Sequence, residues 1–443
     1  MCTPWSTRAS CCIPVPYRDD TDGDCLAAVT FLSLQEIVEG GLCIGCGLCK
    51  AVAGADRIQI VLTPEGRERP VAERALDEAT LERINAICPG TRVEGAAVGA
   101  ASARASRDVV WGSAEKLAVG FAGNPEVRRR GSTGGVLTAL GQFLLASGRV
   151  KFILHVGASR RDPMRTDRRL SFDAASVLEG AGSRYGPAAT LVDFTALLDQ
   201  DEPFALIAKP CDVAAVRNLA RIDSRVDRYM RYALTFVCGG ASDLIKSEEV
   251  ASDLKVRPDE LSLFRYRGHG CPGPTRVETK DGRAFELTYA QMWKDEATWR
   301  IQPRCKICPD AIGESADLAA SDVWPGGGPT SEDEGFNGII VRTLRGLELY
   351  QAALEAGAIA VEPRKVDFRD FDCFQPHQVR KKRAVWSRLA GMKAAGQAVP
   401  ETINLRLEEC ARLNTLRENL DEARGARRRA EKGNLREPPA VSR

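Results

Sequence analysis

The stretch "GLCIGCGLCKAVAGADR", from Gly41 to Arg57, decides how the N-terminal part of this chain is organised. Cys43, Cys46 and Cys49 keep the C-x2-C-x2-C spacing with which three thiolates bind one face of an iron–sulfur cubane. The bacterial cluster motif places its next cysteine, followed by proline, four residues later, where this sequence has Ala53. Since a cubane has four irons that each need a ligand, the fourth thiolate must come from elsewhere.

We predict that Cys88 is this fourth ligand. It is followed by Pro89 and ends the segment "LDEATLERINAICPG", which has the pattern of a helix capped by Asp77. A hairpin around "RIQIVLTPEG" and this helix would carry Cys88 back to the triplet. The alternative is an ordinary buried cysteine at a helix end, because cysteine is among the most buried residue types.

Composition restricts the other kinds of chemistry. The chain has 443 residues, 15 cysteines and a formal charge of +2, so no chain-wide basic field attracts nucleic acid or anionic lipid. Its only histidines are His155, His269 and His377, far apart in sequence, which disfavours mixed Cys/His zinc sites. For the cysteine triplet, all-cysteine zinc and plain buried thiols remain the alternatives to a cluster.

No apolar run of roughly 18 residues is present, so we expect no membrane span and no secretory leader. We therefore expect a cytoplasmic protein, in which many cysteines indicate metal ligation and not disulfides. The pattern predicts five segments: a disordered tail at 1–34, an iron–sulfur module at 35–95, a domain with a glycine-rich loop at 110–190, an α/β domain with further cysteines at 191–390, and a helix with a basic tail at 391–443.

A glycine-rich turn precedes a predicted helix in "VRRRGSTGGVLTALGQ". Backbone N–H groups at such a turn, with the positive helix end, are typical of phosphate sites, and nearby arginines add charge. The candidate cofactor-binding residues here are Arg130, Ser132, Thr133, Gly134 and Gly135. Neither the Rossmann nor the P-loop pattern is present, and an ordinary capped helix start explains the turn equally well.

A second cysteine group is spread over three segments. Cys211 lies in a turn between a predicted strand at 204–208 and a predicted helix capped by Asp212, and Cys238 follows the strand in "RYALTFVCGG". The carboxyl ends of strands in an open α/β sheet line the ligand crevice, so both are expected to lie there. Cys305 and Cys308 in "RCKICPD" complete the predicted quartet, with Cys271 as a rival fourth member and a lone structural knuckle or redox-active thiols as the alternatives.

Taken in order, these motifs resemble the coenzyme F(420) hydrogenase/dehydrogenase beta-subunit family, which includes 7-hydroxymethyl chlorophyll a reductase. The resemblance covers roughly residues 35–390. The motifs that carry it are "CIGCGLC", "RGSTGGVLTAL", "AKPCDVAAVRNL", "FVCGG", "CKICPD", "SDVWPGG" and "NGIIVRT". It implies a flavin and iron–sulfur protein in which the loop at 132–135 holds FAD and Cys211, Cys238, Cys305 and Cys308 match family cysteines.

Two positions depart from the family pattern. Lys209 places a cation in the "KPC" turn where the deazaflavin-reducing members commonly have a neutral hydroxyl, and we count it among the cofactor-binding candidates. Gly239 replaces the histidine that commonly follows the strand-end cysteine. With both departures the flavin and the clusters are still expected, whereas a deazaflavin substrate is put in doubt.

Other candidates depend on single residues. His269, in a glycine-rich loop, is the predicted catalytic proton donor, with a solvated loop histidine as the alternative. The pairs Arg184 with Tyr185 and Asp322 with Trp324 can edge a substrate pocket or simply pack. The C-terminal run at 427–429 has three arginines, which fit either a solvated tail or a patch for an acidic partner.

The sequence thus predicts an α/β fold with a small N-terminal iron–sulfur module, a mixed α/β flavin-binding body and a C-terminal helical tail. The predicted protein passes electrons between a low-potential carrier, such as ferredoxin or a reduced deazaflavin, 4Fe-4S clusters, FAD and an organic acceptor. Partner subunits are expected, and nucleic acid is not. The alternatives are a noncatalytic electron-relay subunit of a larger complex and an all-cysteine zinc protein.

Overall fold

The strands of the chain alternate with helices over most of its length. The computed structural model describes residues 31–96, 101–293 and 299–442. The strands are β1 (Ile58–Leu62), β2 (Glu68–Ala72), β3 (Arg92–Glu94), β4 (Ser106–Asp108), β5 (Gly112–Ala114), β6 (Lys116–Ala122), β7 (Phe152–Ala158), β8 (Thr166–Ser171), β9 (Phe204–Ala208), β10 (Met230–Phe236), β11 (Leu261–Arg265), β12 (Thr275–Thr279), β13 (Ala284–Leu287), β14 (Leu318–Asp322), β15 (Asn337–Val341), β16 (Ile359–Val361) and β17 (Glu401–Ile403).

The helices pack around these strands, and a 3-10 turn covers Pro258–Glu260. They are α1 (Leu34–Glu39), α2 (Leu48–Ala53), α3 (Glu78–Ile87), α4 (Pro125–Arg130), α5 (Val136–Ala146), α6 (Ala174–Glu179), α7 (Phe194–Leu198), α8 (Pro210–Ala220), α9 (Arg225–Tyr229), α10 (Leu244–Asp253), α11 (Tyr289–Trp293), α12 (Pro303–Lys306), α13 (Leu344–Glu355), α14 (Phe368–Phe374), α15 (Pro376–Ala394), α16 (Leu407–Ala411) and α17 (Leu416–Glu431).

A central eight-stranded sheet organises the body. Its strand order is β16-β6-β15-β14-β10-β9-β7-β8. The middle strands β14, β10, β9 and β7 run parallel, and the strands outside them pair antiparallel. The parallel strands are apolar on both faces because helices cover them, as the fully buried Leu206 and Leu234 illustrate. The predicted mixed α/β fold class is therefore confirmed for the body.

The N-terminal module is a hairpin with three short helices. β1 and β2 pair antiparallel, as the alternating sequence predicted. Ser33 caps α1 and Asp77 caps α3, each through a side-chain oxygen that accepts a backbone N–H. From Leu32 onward the chain forms one compact unit. Of the predicted N-terminal tail, residues 1–30 with Cys2, Cys11, Cys12 and Cys25 lie outside the described residues.

The C-terminal segment returns to this module. β17 pairs in parallel with β3, and Leu435 is buried. α17 packs on α15 through small side chains: a Cβ at Gly391 would lie 2.1 Å from the Ala423 carbonyl oxygen. Because small side chains make this contact, the leucines of α17 do not take part in it, and Leu416 is 76% exposed.

One sequence-based expectation about helix starts is wrong. Asp212 was expected to cap the helix after β9, but α8 begins at Pro210 with Lys209 at the cap position. Proline is favoured at the first helical position because its missing N–H is not needed there. Asp212 is instead a fully buried residue of the first turn. Among the described helices, none is long and apolar enough to cross a bilayer.

Candidate metal centres and cofactor loop

Cys43, Cys46, Cys49 and Cys88, here called the N-terminal cysteine group, come from two places in the module. The first two lie in the loop between α1 and α2, Cys49 is the second residue of α2, and Cys88 ends α3. The loop needs glycine: Gly45 has φ of 71°, and a Cβ there would lie 2.4 Å from the Glu68 carbonyl oxygen. The helix and hairpin thus return Cys88 to the triplet.

The four sulfurs are close enough to affect one another's protonation. Burial, opposed by Arg69 and assisted by the neighbouring Cys88, raises the pKa of Cys43 to about 11. Burial likewise raises the pKa values of Cys46 and Cys49, and Cys88 adds to both shifts. Such thiols keep their protons unless a cationic core replaces them, which is the chemistry of a metal-ligating set.

The backbone around the group supplies hydrogen-bond donors to sulfur. The N–H of Gly45 lies 3.3 Å from Cys43 Sγ, and the N–H of Gly90 lies 3.3 Å from Cys88 Sγ. A Cβ at Gly90 would lie 2.6 Å from the Leu42 carbonyl oxygen, so only glycine allows this approach. N–H donors to ligating sulfurs stabilise the thiolate and tune a bound metal centre.

Cys211, Cys238, Cys305 and Cys308, here called the sheet-edge cysteine group, line one cavity. Cys211 follows β9 and Cys238 follows β10, and these are neighbouring parallel strands. The N–H of Cys238 donates to the Ala311 carbonyl at 2.8 Å, which ties this strand end to the segment after Cys308. The expected convergence of the three segments is therefore seen in the structure.

Burial also holds two of these thiols, Cys211 and Cys238, in the protonated state. Burial, with a smaller contribution from the neighbouring cysteines, raises the pKa of Cys238 to about 12. The pKa of Cys211 is raised by burial and then by Asp212. Across the described residues, no three His, Cys, Asp or Glu side chains converge closely enough to hold a single metal ion.

Cys271, the rival fourth member, lies elsewhere. Its backbone pairs with Asp333, whose N–H donates to the Cys271 carbonyl at 2.8 Å. Burial raises its pKa to about 12, and its nearest partners are Asp333 and Trp324. It is not among the residues that line the cavity of the sheet-edge cysteine group.

Two ionic side chains lie between the cysteine groups. Lys209 Nζ is 2.8 Å from Asp212 Oδ2 and donates to the Ala188 carbonyl at 3.3 Å. Lys209 lines the cavity of the sheet-edge cysteine group, together with Ile44 from the loop of the other group. Asp212 raises the pKa of Cys46 and of Cys211, in each case after burial, so its carboxylate lies near both groups.

Arg304 joins the two groups directly and was missed from the sequence. It is 2% exposed, lines the sheet-edge cavity and donates through Nη2 to the Pro89 carbonyl at 2.8 Å. Its position beside the predicted ligand Cys305 was the available signal. Because Pro89 follows Cys88, this hydrogen bond links the ends of both ligand sets.

The loop with Ser132, Thr133, Gly134 and Gly135 leads from α4 into α5. Ser132 Oγ accepts the Ser183 N–H at 2.6 Å, and Thr133 Oγ1 accepts Asn337 Nδ2 at 2.7 Å. A Cβ at Gly134 would lie 2.8 Å from both the Asn337 nitrogen and the Gly120 carbonyl oxygen. The glycine is therefore required for packing of this loop on the central sheet, whatever it binds.

The backbone of this loop has donors left over. In the described part of the chain, no acceptor is found for the N–H groups of Ser132, Thr133, Gly134 and Gly135. The first three of these residues are buried, and the eleven-residue helix α5 follows. Buried N–H groups are nearly always paired, so a run of four unpaired N–H groups, three of them on buried residues, fits an anionic group such as a pyrophosphate.

The arginines before the loop have separate roles. Arg128 packs on Phe121, with 3.8 Å from its guanidinium carbon to the ring centroid, and donates to the Gly335 carbonyl at 2.9 Å. Arg130 Nε lies 2.7 Å from Glu126 within α4. Since Arg130 already has an acidic partner, its charge is partly balanced before any ligand binds.

The remaining candidates cluster beside the loop. His269 is exposed with φ of 61°, and burial and then the charges of Arg265 and Arg129 lower its pKa. Arg267, which the sequence analysis missed, is buried and donates to the Ser132 carbonyl at 2.7 Å. It also contacts Tyr185, Asp322 and Trp324, which the structure thereby brings together.

Arg184 does not join this cluster. Its guanidinium donates to the carbonyl oxygens of four residues, and its pKa is lowered by burial. The acceptors are Phe264, Pro163, Met164 and Arg165. The packing alternative for Arg184 therefore fits the structure.

Two family models match the chain, and both describe the beta subunit of coenzyme F420 hydrogenase/dehydrogenase. Residues 117–193 match the model of its N-terminal part, and residues 201–366 match the model of its C-terminal part. The first range includes the loop at 132–135, and the second includes the sheet-edge cysteine group. The N-terminal cysteine group precedes both ranges.

Named relatives agree with these matches. The beta subunit of F420-dependent formate dehydrogenase 1 from Methanococcus maripaludis is 26% identical over 260 residues, 56% of this chain and 62% of the relative. The beta subunit of F420-dependent formate dehydrogenase from Methanocaldococcus jannaschii is 25% identical over 244 residues, 53% of this chain and 59% of the relative. The chain thus spans about three fifths of the length of these relatives.

Solved structures agree on the fold. A chain of the F420-reducing [NiFe] hydrogenase complex from Methanosarcina barkeri superimposes with a TM-score of 0.52 at 16% identity. The match covers 67% of this chain and 99% of that one. With the two family models and the named relatives, it follows that this chain belongs to the coenzyme F420 hydrogenase/dehydrogenase beta-subunit family.

Proposed function

We propose that this chain is an iron–sulfur flavoprotein oxidoreductase. In this proposal it passes electrons between a low-potential carrier, 4Fe-4S clusters, FAD and an organic acceptor. Its relatives are beta subunits of F420-dependent formate dehydrogenases, which supports a redox electron-transfer role and the presence of partner subunits. The carriers, the acceptor and FAD itself are inferred from the resemblance of the motifs to this family.

The observation that carries the proposal is the N-terminal cysteine group. Four thiols without a disulfide partner lie near one another, two of them buried and two half-buried, and burial raises the pKa of Cys43 to about 11. Smaller apolar residues would pack equally well at these positions, so packing alone does not explain four thiols here. Cys43, Cys46, Cys49 and Cys88 would hold the first cluster, and Cys211, Cys238, Cys305 and Cys308 the second.

The glycine-rich loop is the proposed FAD site. When bound, FAD exchanges electrons in pairs as well as singly, which links organic substrates to one-electron carriers. The N–H groups of residues 132–135 would bind its pyrophosphate, and the buried Arg267 fixes the loop through the Ser132 carbonyl. His269 is the proposed proton donor at this end of the body; because its pKa is lowered, its imidazole is neutral at neutral pH and takes up a proton from solvent before it delivers one.

An electron-relay role without a flavin remains a second candidate because of one observation. The Ser132 and Thr133 hydroxyls are already bound to protein groups, so this loop is stable without a ligand. A chain that holds clusters but no flavin would pass electrons to another subunit. Lys209 and Gly239 leave the identity of the organic acceptor open in either case.

Cofactor analysis of anaerobically purified protein tests the proposal. We expect about eight irons, about eight sulfides and about one FAD per chain, with a brown colour that dithionite bleaches. Clusters without flavin would favour the electron-relay role. A colourless protein that contains zinc in place of iron would contradict both.

A further inference from the structure

Three helices meet over the knuckle that carries Cys305 and Cys308. Lys306, the exposed residue of α12 next to Cys305, has its carbonyl oxygen bound by Arg388 Nη1 at 2.9 Å. Arg388 belongs to α15 and also pairs with Glu422 of α17, at 2.8 Å and 3.2 Å. This pairing brings the basic end of α17 to the sheet-edge cysteine group.

Four cations share this face, here called the knuckle face: Lys306, Arg388, Arg428 and Arg429. Arg388 joins the three helices, because it binds the Lys306 carbonyl and pairs with Glu422 of α17. Arg429 follows Glu422 by about two helical turns, so it lies on the same side of α17, and Arg428 is its exposed neighbour. Like charges on these neighbouring segments repel. The arginine run of the sequence is therefore part of a folded surface and not of a free tail.

The acidic side chains on this face already form ion pairs. Glu422 is bound by Arg388, and the buried Asp243 is bound by Arg67. Within the described residues, Lys306, Arg428 and Arg429 form no salt bridge of their own, although Glu422 partly offsets the charge of Arg429. The knuckle face thus has a surplus of positive charge beside the segment that carries Cys305 and Cys308.

We propose that the knuckle face docks a small acidic electron-carrier protein. The inference rests on the proposed function, since it requires a cluster at the sheet-edge cysteine group. On docking, one electron leaves the reduced centre of the carrier and enters that cluster, so the carrier is oxidised by one electron and the cluster is reduced by one. Acidic side chains of the carrier would relieve the repulsion among the four cations and steer its approach.

The position of the face supports an electron carrier over other acidic partners. Lys306 is in the same short segment as Cys305 and Cys308, so a protein bound there is separated from the cluster by little polypeptide. A nucleic acid would use the positive charge but would gain nothing from the thiols beneath it. The net charge of +2 for the whole chain also gives no wider basic field for nucleic acid.

The test uses anaerobically purified protein with its clusters and a reduced bacterial 2[4Fe-4S] ferredoxin as the probe. Stopped-flow absorbance measures the second-order rate of reduction for the wild type, Arg428→Glu/Arg429→Glu, and Lys306→Gln. The matched control is Arg160→Glu/Arg257→Glu, which makes the same charge change at two exposed arginines of other surface segments. Iron content and dithionite bleaching establish that each variant holds its clusters.

We expect Arg428→Glu/Arg429→Glu to be reduced by the ferredoxin about tenfold or more slowly at low salt, with Lys306→Gln less affected and the control near wild type. The difference should largely vanish in about 0.5 M NaCl, where surface charges are screened. Equal rates for the double variant and the control would overturn the docking proposal. So would binding of duplex DNA that the double variant loses while its ferredoxin rate is unchanged. Failure of dithionite to bleach the wild type would instead overturn the proposed function.

Discussion

The two cysteine groups reach similar arrangements by different routes. The N-terminal group is built from one loop and one helix end, and Cys43 is buried among Leu42, Ile58 and Ile84 of its own module. The sheet-edge group takes Cys211 and Cys238 from neighbouring strands and its other two members from a distant knuckle. The first depends mainly on local chain geometry, whereas the second requires a finished sheet.

This difference explains why the two groups differ in how readily a sequence reveals them. Cys43, Cys46 and Cys49 are recognisable from their three-residue spacing alone, without any tertiary structure. The sheet-edge set has meaning only once β9 and β10 pair in parallel. Variants that remove one group and leave the other test whether the two are separate centres.

Loss of one ligand should have the largest effect. We expect Cys88→Ala to lose about four irons and about four sulfides while the other cluster remains, and Cys308→Ala to do the reverse. Iron and sulfide counts with electron paramagnetic resonance of the reduced proteins measure this. Simultaneous loss of both clusters in each variant would show that they do not assemble independently.

Two cysteines provide controls for this experiment. Cys373 is exposed, so Cys373→Ala should keep all of the iron. Cys271→Ala distinguishes the rival ligand set, because Cys271 contacts Asp333 and lies away from the sheet-edge cavity. A loss of about four irons in Cys271→Ala would show that Cys271 is a ligand in place of one member of the sheet-edge cysteine group.

The next effect tests how local the N-terminal group is. Glu437, near the end of the chain, accepts Arg69 Nε at 2.7 Å and Nη2 at 2.8 Å, and lies 3.2 Å from Arg67 Nη1. Glu437→Gln leaves the fully buried Arg69 without its countercharge, so we expect a loss of about 3–5 kcal/mol in the free energy of unfolding. Urea unfolding followed by fluorescence measures it.

An exposed ion pair is the matched control. Glu408 pairs with Arg412 at 2.6 Å on the surface, so Glu408→Gln should cost about 0–1 kcal/mol. If Glu437→Gln were no more destabilising than Glu408→Gln, the N-terminal module would be stable without the C-terminal segment. The N-terminal cysteine group would then depend even less on distant segments than the structure indicates, which would increase its contrast with the sheet-edge cysteine group.

Much of the fold could be predicted from the sequence because its signals are local. Asp77 and the Cys88-Pro89 step mark the helix that returns the fourth thiol, and apolar runs mark β9 and β10. The pairing of β17 with β3 could not be predicted, because three-residue strands carry almost no pattern. The start of α8 at Pro210 was missed because an acidic residue suggested a later cap.

The candidate site was less predictable where it depends on tertiary contacts. Arg304 and Glu437 lie far from the residues they bind, so no spacing rule connects them. Lys209 was singled out as a departure from the family pattern, but its partner Asp212 and its position between the cysteine groups required the structure. Long-range ion pairs of this kind follow from the assembled fold and not from periodicity.

A smaller effect is expected from the charges between the two groups. Lys209→Met removes a cation from the sheet-edge cavity, which disfavours the extra electron of a reduced cluster and so lowers its potential. We expect a shift of tens of millivolts, where about 59 mV corresponds to a tenfold change for one electron. Lys209→Arg keeps the charge and should shift the potential less.

Redox titration followed by electron paramagnetic resonance separates the clusters, since Cys88→Ala and Cys308→Ala leave one signal each. The shift in Lys209→Met should be larger for the sheet-edge cluster than for the N-terminal one, because Lys209 lines the sheet-edge cavity and interacts more strongly with Cys211 than with Cys46. Equal shifts would mean that Lys209 and Asp212 act on both groups alike. No shift in either would remove Lys209 from the site.

The smallest effect concerns the metal-free protein, in which the two groups should behave alike. Burial raises the pKa of Cys43 to about 11 and that of Cys238 to about 12. Only the thiolate reacts with iodoacetamide, so both cysteines should be alkylated slowly at pH 8, with rates that rise as the pH approaches these pKa values. Peptide mass spectrometry of Cys43, Cys238 and the exposed Cys373 measures the rates separately.

The same shifts predict how the metal-free fold responds to base. The folded-state pKa of Cys43 lies above that of an unfolded thiol, so retention of its proton stabilises the fold below about pH 9, and this contribution is lost as the pH rises through about 11. Cluster binding replaces these protons, so the holo protein should lack this loss. Rapid alkylation of Cys43 at pH 8, with slow alkylation of Cys238, would show that the N-terminal group opens to solvent without metal while the sheet keeps Cys238 buried.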